Sequence, residues 1–72
     1  MRNDSVLLRE IGVALYGSGW ESQVAKDLAV DVRVVRRWIN GSTVVPDATW
    51  AELRKKLQLR MLELEVLVER LG

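Results

Sequence analysis

Apolar residues along the chain recur mostly three and four positions apart, which is the spacing of amphipathic helices. The pattern predicts a helix over about 4–16, a second one ending near Leu28, a third over about 31–40 and a fourth over about 46–71. Glycine or proline stands at the first and the third of the breaks between them. The predicted fold is therefore all-α, a small helical bundle whose last helix is much longer than the others.

The first predicted helix has an apolar stripe made by Leu8, Ile11 and Leu15. Leu7 and Ala14 are expected to widen this stripe, which packs over the two helices that follow. A glycine inside the helix costs roughly 1 kcal/mol relative to alanine, which favours a close helix contact at that point. The glycine is Gly12, the candidate caps are Asn3, Asp4 and Ser5, and the helix is expected to end at Gly17.

Two capping patterns are predicted further along the chain. Ser18 and Glu21 have the spacing of a capping box, in which the serine oxygen accepts from a backbone amide and the glutamate reaches back. Thr49 and Glu52 offer the same arrangement near the start of the last helix, where Pro46 is tolerated in the first turn. Both patterns would encode a helix start in local sequence.

The segment 21–40 has the spacing of two short crossed helices joined by a turn of three or four residues. Ala25 is small enough to let the two backbones approach, and Val35 and Trp38 follow at helical spacing. This pattern resembles the helix-turn-helix of DNA-binding proteins of the Cro and phage-repressor type, the Xre-like proteins. Many of them have glycine where this chain has Ala29, because the turn often requires a positive φ.

A strand is the alternative for part of this segment, because apolar and polar residues alternate over 30–34. A strand here would suggest a ribbon-helix-helix protein, but that fold places its strand before two helices, at the start of the chain. The adjacent apolar pair at 34–35 breaks the alternation. A helix is therefore predicted, with Asp31 as its N-cap and Asn40 and Gly41 at its end.

The exposed side of this third helix is predicted to carry Arg33, Arg36 and Arg37, and no acidic residue lies three or four positions from the last two. Arginine can donate two parallel hydrogen bonds to guanine, so the face is typical of major-groove binding, although a solvated helix face has the same composition. Ser42 and Thr43 can bond a phosphate or tie their own turn. The candidate DNA-binding residues are Ser22, Gln23, Val32, Arg33, Arg36, Arg37, Asn40, Ser42 and Thr43.

The last predicted helix, about 35 Å long at 1.5 Å per residue, is longer than the domain it would cover. Trp50, Leu53 and Leu57 are expected to complete the core of a DNA-binding domain over 1–58, which leaves 59–72 for dimerisation. A bend that folds this tail back on the first helix is the alternative. The expected dimer contacts are Met61, Leu64, Leu67, Val68 and Leu71.

Composition excludes several functional classes. The chain has 72 residues, a formal net charge of +1, no Cys and no His, so thiolate and imidazole chemistry and the common zinc sites are excluded. No cofactor, metal or small-molecule ligand is expected, and no enzymatic activity, because acidic residues such as Glu63 and Glu65 have no base or nucleophile beside them. No membrane span or secretory signal is predicted, and the lack of cysteine fits a cytoplasmic protein.

The resemblance implies a homodimer that binds an inverted repeat in double-stranded DNA with its third helix in the major groove. It also implies a compact repressor of phages or mobile elements, with no room for a ligand-sensing domain; regulators associated with anti-CRISPR genes are one such group. The alternative is a small dimeric protein-interaction module, of adaptor or antitoxin type, whose apolar tail engages a different protein.

Overall fold

The computed structural model describes residues 4–72, which form four α-helices. They are α1 (Asp4–Tyr16), α2 (Trp20–Leu28), α3 (Val32–Ile39) and α4 (Asp47–Leu71). The described chain contains no strand, so the all-α prediction is confirmed, and so is the choice of helix for the segment that becomes α3. None of the described helices combines the length and the hydropathy that crossing a bilayer requires.

Helix α1 lies at the centre of the bundle and packs against α2, α3 and α4. Its predicted stripe faces inward, because Leu8 and Leu15 are buried and Ile11 is half-buried. The expectation that Ala14 widens the stripe is wrong, since its single methyl group lies at the edge of the stripe and remains exposed. Among the predicted caps of α1, Asn3 lies outside the described residues.

Gly12 lets α1 and α2 meet closely. A Cβ atom added to Gly12 would lie 2.1 Å from Cε3 of Trp20, well inside van der Waals contact. The close contact predicted at this glycine is therefore confirmed, with a tryptophan ring as the neighbour. The ring fills the space beside the missing side chain and makes Trp20 part of the core although it is the first residue of α2.

The start of α2 corrects the predicted Ser18–Glu21 capping box. The N-cap residue is Gly19, with a left-handed φ of 75°, and no side chain caps the helix. Gly17 is left-handed as well, with a φ of 71°. These two glycines turn the chain so that the helix begins one residue later than a serine cap at position 18 would require. Glu21 consequently remains in the first turn, where its charge suits the helix dipole.

The predicted Thr49–Glu52 cap of α4 is also absent. The helix begins at Asp47 with Pro46 as its N-cap residue and without a side-chain cap, so Thr49 already lies inside the first turn and its amide donates to the carbonyl of Pro46 at 3.0 Å. Glu52 instead forms an exposed ion pair with Lys55, with 3.5 Å between the carboxylate oxygen and Nζ.

One core cluster joins residues from every helix and from the loop before α4. Leu53 is buried as predicted, whereas Trp50 and Leu57 are half-buried at the edge of the cluster. Val45 is 2% exposed although it lies in a loop, where no periodicity marks a core position. The buried members of the cluster are Leu8, Trp20, Val24, Ala25, Val35, Trp38, Val45 and Leu53.

The second half of α4 projects from the bundle. The helix runs without a break for 25 residues, and every residue from 61 to 72 is exposed. The principal extents of the molecule, 46 × 26 × 18 Å, reflect this projection. The alternative in which the tail bends back on α1 is therefore wrong, because α4 contains neither proline nor glycine to bend it.

Candidate nucleic-acid interface

The turn between α2 and α3 contains three residues, as the helix-turn-helix spacing predicts. Ala29 adopts the left-handed conformation, with φ 57° and ψ 42°, that glycine would adopt more easily. Its amide donates to the carbonyl of Lys26 at 3.2 Å, and the amide of Val30 donates to the carbonyl of Ala25 at 2.9 Å. These are the two hydrogen bonds of a Schellman motif, so the turn is closed by backbone geometry despite the strain at alanine.

Asp31 starts α3 in the manner predicted. Its Oδ1 accepts from the amide of Arg33 at 2.8 Å, and its own carbonyl accepts from the amide of Val34 at 2.9 Å. Val35 and Trp38 then anchor the helix, because both side chains are buried in the core. This anchoring fixes which side of α3 is turned to solvent.

The solvent side of α3 carries Arg33, Arg36 and Arg37, all exposed. Arg33 is occupied by an interaction that the sequence analysis missed: its Nε donates to Oδ1 of Asp31 at 3.1 Å and its Nη2 donates to Oδ2 at 3.0 Å. The side chains of Arg33 and Asp31 are 75% and 50% exposed. The two residues are only two positions apart, so they do not have the spacing of three or four that is typical of ion pairs within a helix; the pair forms because an N-cap side chain reaches the second residue after it.

The same pair shapes the local electrostatics. Hydrogen bonds from the side chain and the amide of Arg33 lower the pKa of Asp31 to about 2, and the bond to Asp31 raises the pKa of Arg33. Neither Arg36 nor Arg37 belongs to an ion pair among residues 4–72. Two guanidinium groups on this face are therefore available to an external anion, while the third is held by a carboxylate.

Val32 stands apart from the other predicted contacts on α3. This candidate DNA-binding residue is half-buried and packs against the core cluster, so it is not turned fully to solvent as the arginines are. Part of its side chain is therefore covered by the core, whereas the three arginines are exposed.

The turn after α3 is tied by its own residues. Oδ1 of Asn40 accepts from the amide of Ser42 at 2.9 Å and from its hydroxyl at 2.6 Å. The amides of Ser42 and Thr43 also donate to the carbonyl of Arg37, at 2.9 and 3.4 Å. Of the two roles left open by the sequence, the structure shows Ser42 tying its own turn, whereas the side chain of Thr43 is exposed.

Two candidate residues lie on a different helix. Ser22 and Gln23 are exposed in the first turn of α2, next to the half-exposed Glu21. A helix start offers unpaired amides to an anion, but the carboxylate of Glu21 opposes a phosphate there because no capping bond engages it. The structure thus places the arginines on α3, whereas Ser22 and Gln23 lie on α2 beside a carboxylate.

Comparison of the chain with protein-family models, with curated proteins and with solved structures finds no match.

Proposed function

We propose that this protein is a sequence-specific regulator that binds double-stranded DNA by placing α3 in the major groove. The observation that carries the proposal is the exposed arginine face of a helix anchored by Val35 and Trp38 at the end of a three-residue turn. An α-helix with its side chains is about 10–12 Å in diameter, and the major groove is about 12 Å wide, so a helix such as α3 fits into it. Arginine is suited to this groove because its planar fork matches guanine O6 and N7.

In this proposal the protein acts as a dimer on an inverted repeat. Leu57, Met61, Leu64, Val68 and Leu71 follow each other at intervals of four and three, the spacing of a coiled-coil seam. The last four are between 53% and 88% exposed in the single chain, and Leu67 lies beside them at 52%. Pairing with a second copy would cover this seam and set two α3 helices to read half-sites about 34 Å apart.

In this proposal the protein works in the cytoplasm, as a compact repressor of the Cro and phage-repressor type. A dimer bound across an operator blocks it by occupancy alone, so no further domain or ligand is needed for repression. Secondary contacts around the three arginines are then made to phosphates by Asn40, Thr43, Ser22 and Gln23 and to a thymine methyl by Val32, while Ser42 holds the turn after α3.

Selection of duplexes from a random library, followed by titration of the selected duplex, tests the proposal. Replacement of Arg36 or Arg37 by alanine should weaken binding by about 1–3 kcal/mol if the arginine makes a bidentate contact to a base. If the arginine contacts a phosphate, the affinity should fall equally on every sequence. Arg54→Ala removes an exposed arginine from α4 and serves as the matched control. Unchanged affinity in the triple alanine variant of Arg33, Arg36 and Arg37 would take α3 out of the interface.

A protein-interaction module is the second candidate, and the exposed tail of α4 favours it. In that case the apolar seam holds a different protein and the arginine face is only a solvated helix surface. The same library decides between the candidates: a module of this kind enriches no duplex, and its binding to any duplex falls with salt without sequence preference.

A further inference from the structure

We infer that Asp31 is a specificity-determining residue, whose carboxylate holds the guanidinium of Arg33 in the orientation that reads a guanine. This inference rests on the proposed function, since it requires α3 to lie in the major groove. It assigns to Asp31 a second role besides capping α3. The inference also distinguishes Arg33 from Arg36 and Arg37, which form no ion pair with a carboxylate among the residues that the structure describes.

The carboxylate is itself held in place. Oδ1 of Asp31 accepts from the amide of Arg33 at 2.8 Å, which fixes the side chain relative to the first turn of α3. From that position it receives Nε at 3.1 Å and Nη2 at 3.0 Å, so both oxygens face one edge of the guanidinium. These three hydrogen bonds therefore fix the orientation of the Arg33 guanidinium relative to the backbone of α3.

The remaining donors of Arg33 match a guanine. A guanidinium has five N–H groups, and the Nε edge with one Nη2 proton is taken by Asp31. The end of the fork, formed by one proton of Nη1 and the second proton of Nη2, stays available. These two parallel donors have the spacing of guanine O6 and N7. Asp31 thus occupies the side of the arginine and leaves its end for the base.

The charge of Asp31 favours discrimination as well. The pair is largely exposed, so it contributes little to stability by itself. Near DNA, however, a carboxylate repels phosphates and accepts no hydrogen bond from O6 or N7, both of which are acceptors. Arg33 bound to Asp31 is consequently less available to phosphates than Arg36 or Arg37. Sequence discrimination should concentrate at the base pair that Arg33 reads.

Asp31→Asn separates orientation from capping. Asparagine caps helices as well as aspartate does, so its Oδ1 keeps the hydrogen bond to the amide of Arg33. The substitution removes the negative charge and replaces the second oxygen by a donor, which cannot pair with Nη2. Asp47→Asn is the matched control, because Asp47 is also an exposed acidic residue at a helix start, on α4.

The experiment uses the full chain and a duplex selected from a random library. Each G·C pair of that duplex is replaced in turn by A·T, and affinities are measured by fluorescence anisotropy for the wild type, Arg33→Ala, Asp31→Asn and Asp47→Asn. Arg33→Ala identifies the base pair that Arg33 reads. At that pair Asp31→Asn should lose about fivefold or more of the discrimination, while its binding to unrelated duplex stays equal or becomes tighter. Asp47→Asn should keep the wild-type discrimination.

Two results overturn the inference in different ways. Full discrimination at that pair in Asp31→Asn would reduce Asp31 to a helix cap, with the proposed function intact. A loss spread evenly over all pairs, together with a lower unfolding temperature, would likewise assign Asp31 to folding alone. A wild-type chain that binds all duplexes equally, or none, would reject the proposed function before the role of Asp31 is reached.

Discussion

Tyr16 is the residue whose ionisation the fold changes most clearly. Its hydroxyl donates to the carboxylate of Asp27, and burial of the phenol, followed by this hydrogen bond and by the charge of Asp27, raises its pKa to about 12. Arg60 opposes the shift, because a nearby positive charge favours the phenolate. The hydrogen bond therefore joins α1 to α2, while Arg60 on α4 acts on Tyr16 only through its charge.

The raised pKa predicts how stability depends on alkaline pH. The folded state binds the phenolic proton more tightly, so the stabilisation is fully present below pH 10 and is lost as pH rises through about 12. The chain has a single tyrosine, so phenolate absorbance reports this group alone. The titration midpoint should lie near 12 and move toward 10 in Asp27→Asn, with Asp47→Asn as the charge control. A midpoint near 10 in the wild type would contradict both the burial of the phenol and its hydrogen bond to Asp27.

The connection of α2 to α3 depends on one strained alanine. Ala29 has φ 57°, a conformation that costs an L-residue on the order of 1–2 kcal/mol, whereas glycine adopts it freely. Glycine also gives the unfolded chain about 0.4–1 kcal/mol of additional entropy. Ala29→Gly should therefore raise the free energy of unfolding by roughly 0.5–1 kcal/mol in denaturant titrations.

Ala51→Gly is the matched control for that substitution. Ala51 is exposed in the interior of α4, where glycine should lower the free energy of unfolding by about 1 kcal/mol. The two identical changes are thus expected to have opposite signs. A destabilised Ala29→Gly variant would show that the left-handed turn is not adopted and that α2 and α3 are joined differently.

The helices could be predicted from the sequence because their boundaries are encoded locally. Glycine at position 17 ends α1, Asp31 caps α3, and Asn40 with Gly41 ends it, each within one residue of the predicted limit. The cap of α2 was missed for the opposite reason. Two left-handed glycines offer the backbone a turn that competes with the serine cap, and spacing alone does not decide between them.

The contacts between elements were harder to predict. Val45 is buried, but a loop has no period that distinguishes an inward position from an outward one. The bond of Tyr16 to Asp27 joins two helices whose mutual rotation is fixed only by packing. The candidate face of α3 was predictable because burial of Val35 and Trp38 determines which residues remain outside. The pairing of Arg33 with Asp31 could not be predicted, because it depends on the conformations of the two side chains.

At the scale of the whole molecule, most of the positive charge is separated from the exposed apolar surface. Arginines lie on α3 and further basic residues lie on α4 from Arg54 to Arg60, whereas the tail beyond them is acidic and apolar. The acidic tail would be repelled by DNA, so it is expected to lie away from the duplex. This polarity suits the proposed function, in which one end binds DNA and the other end associates with a second copy.

The tail has apolar residues on two opposite faces. Leu64 and Val68 belong to the proposed seam and are 53% and 66% exposed, while Leu62 and Val66 lie on the far side and are 60% and 52% exposed. The two pairs have the same residue types, the same spacing of four and similar exposure. They differ only in which face of α4 they occupy, and this difference allows a controlled test of the proposed dimer.

If the protein is the dimer proposed above, changing Leu64 and Val68 together to glutamate should convert it to a folded monomer, because the seam loses its central contacts. Burying four leucine or valine side chains in the seam contributes on the order of 6–10 kcal/mol to the free energy of association, before the entropy of association is subtracted. The monomer should bind an inverted repeat far more weakly, since the second half-site no longer adds to the affinity, but should bind a single half-site normally. Sedimentation gives the oligomeric state, and Leu62→Glu with Val66→Glu should remain dimeric. If the variant with Leu64 and Val68 replaced remains a dimer, the interface lies elsewhere. If both variants dissociate, the interface covers both faces of α4, as in a bundle of more than two helices.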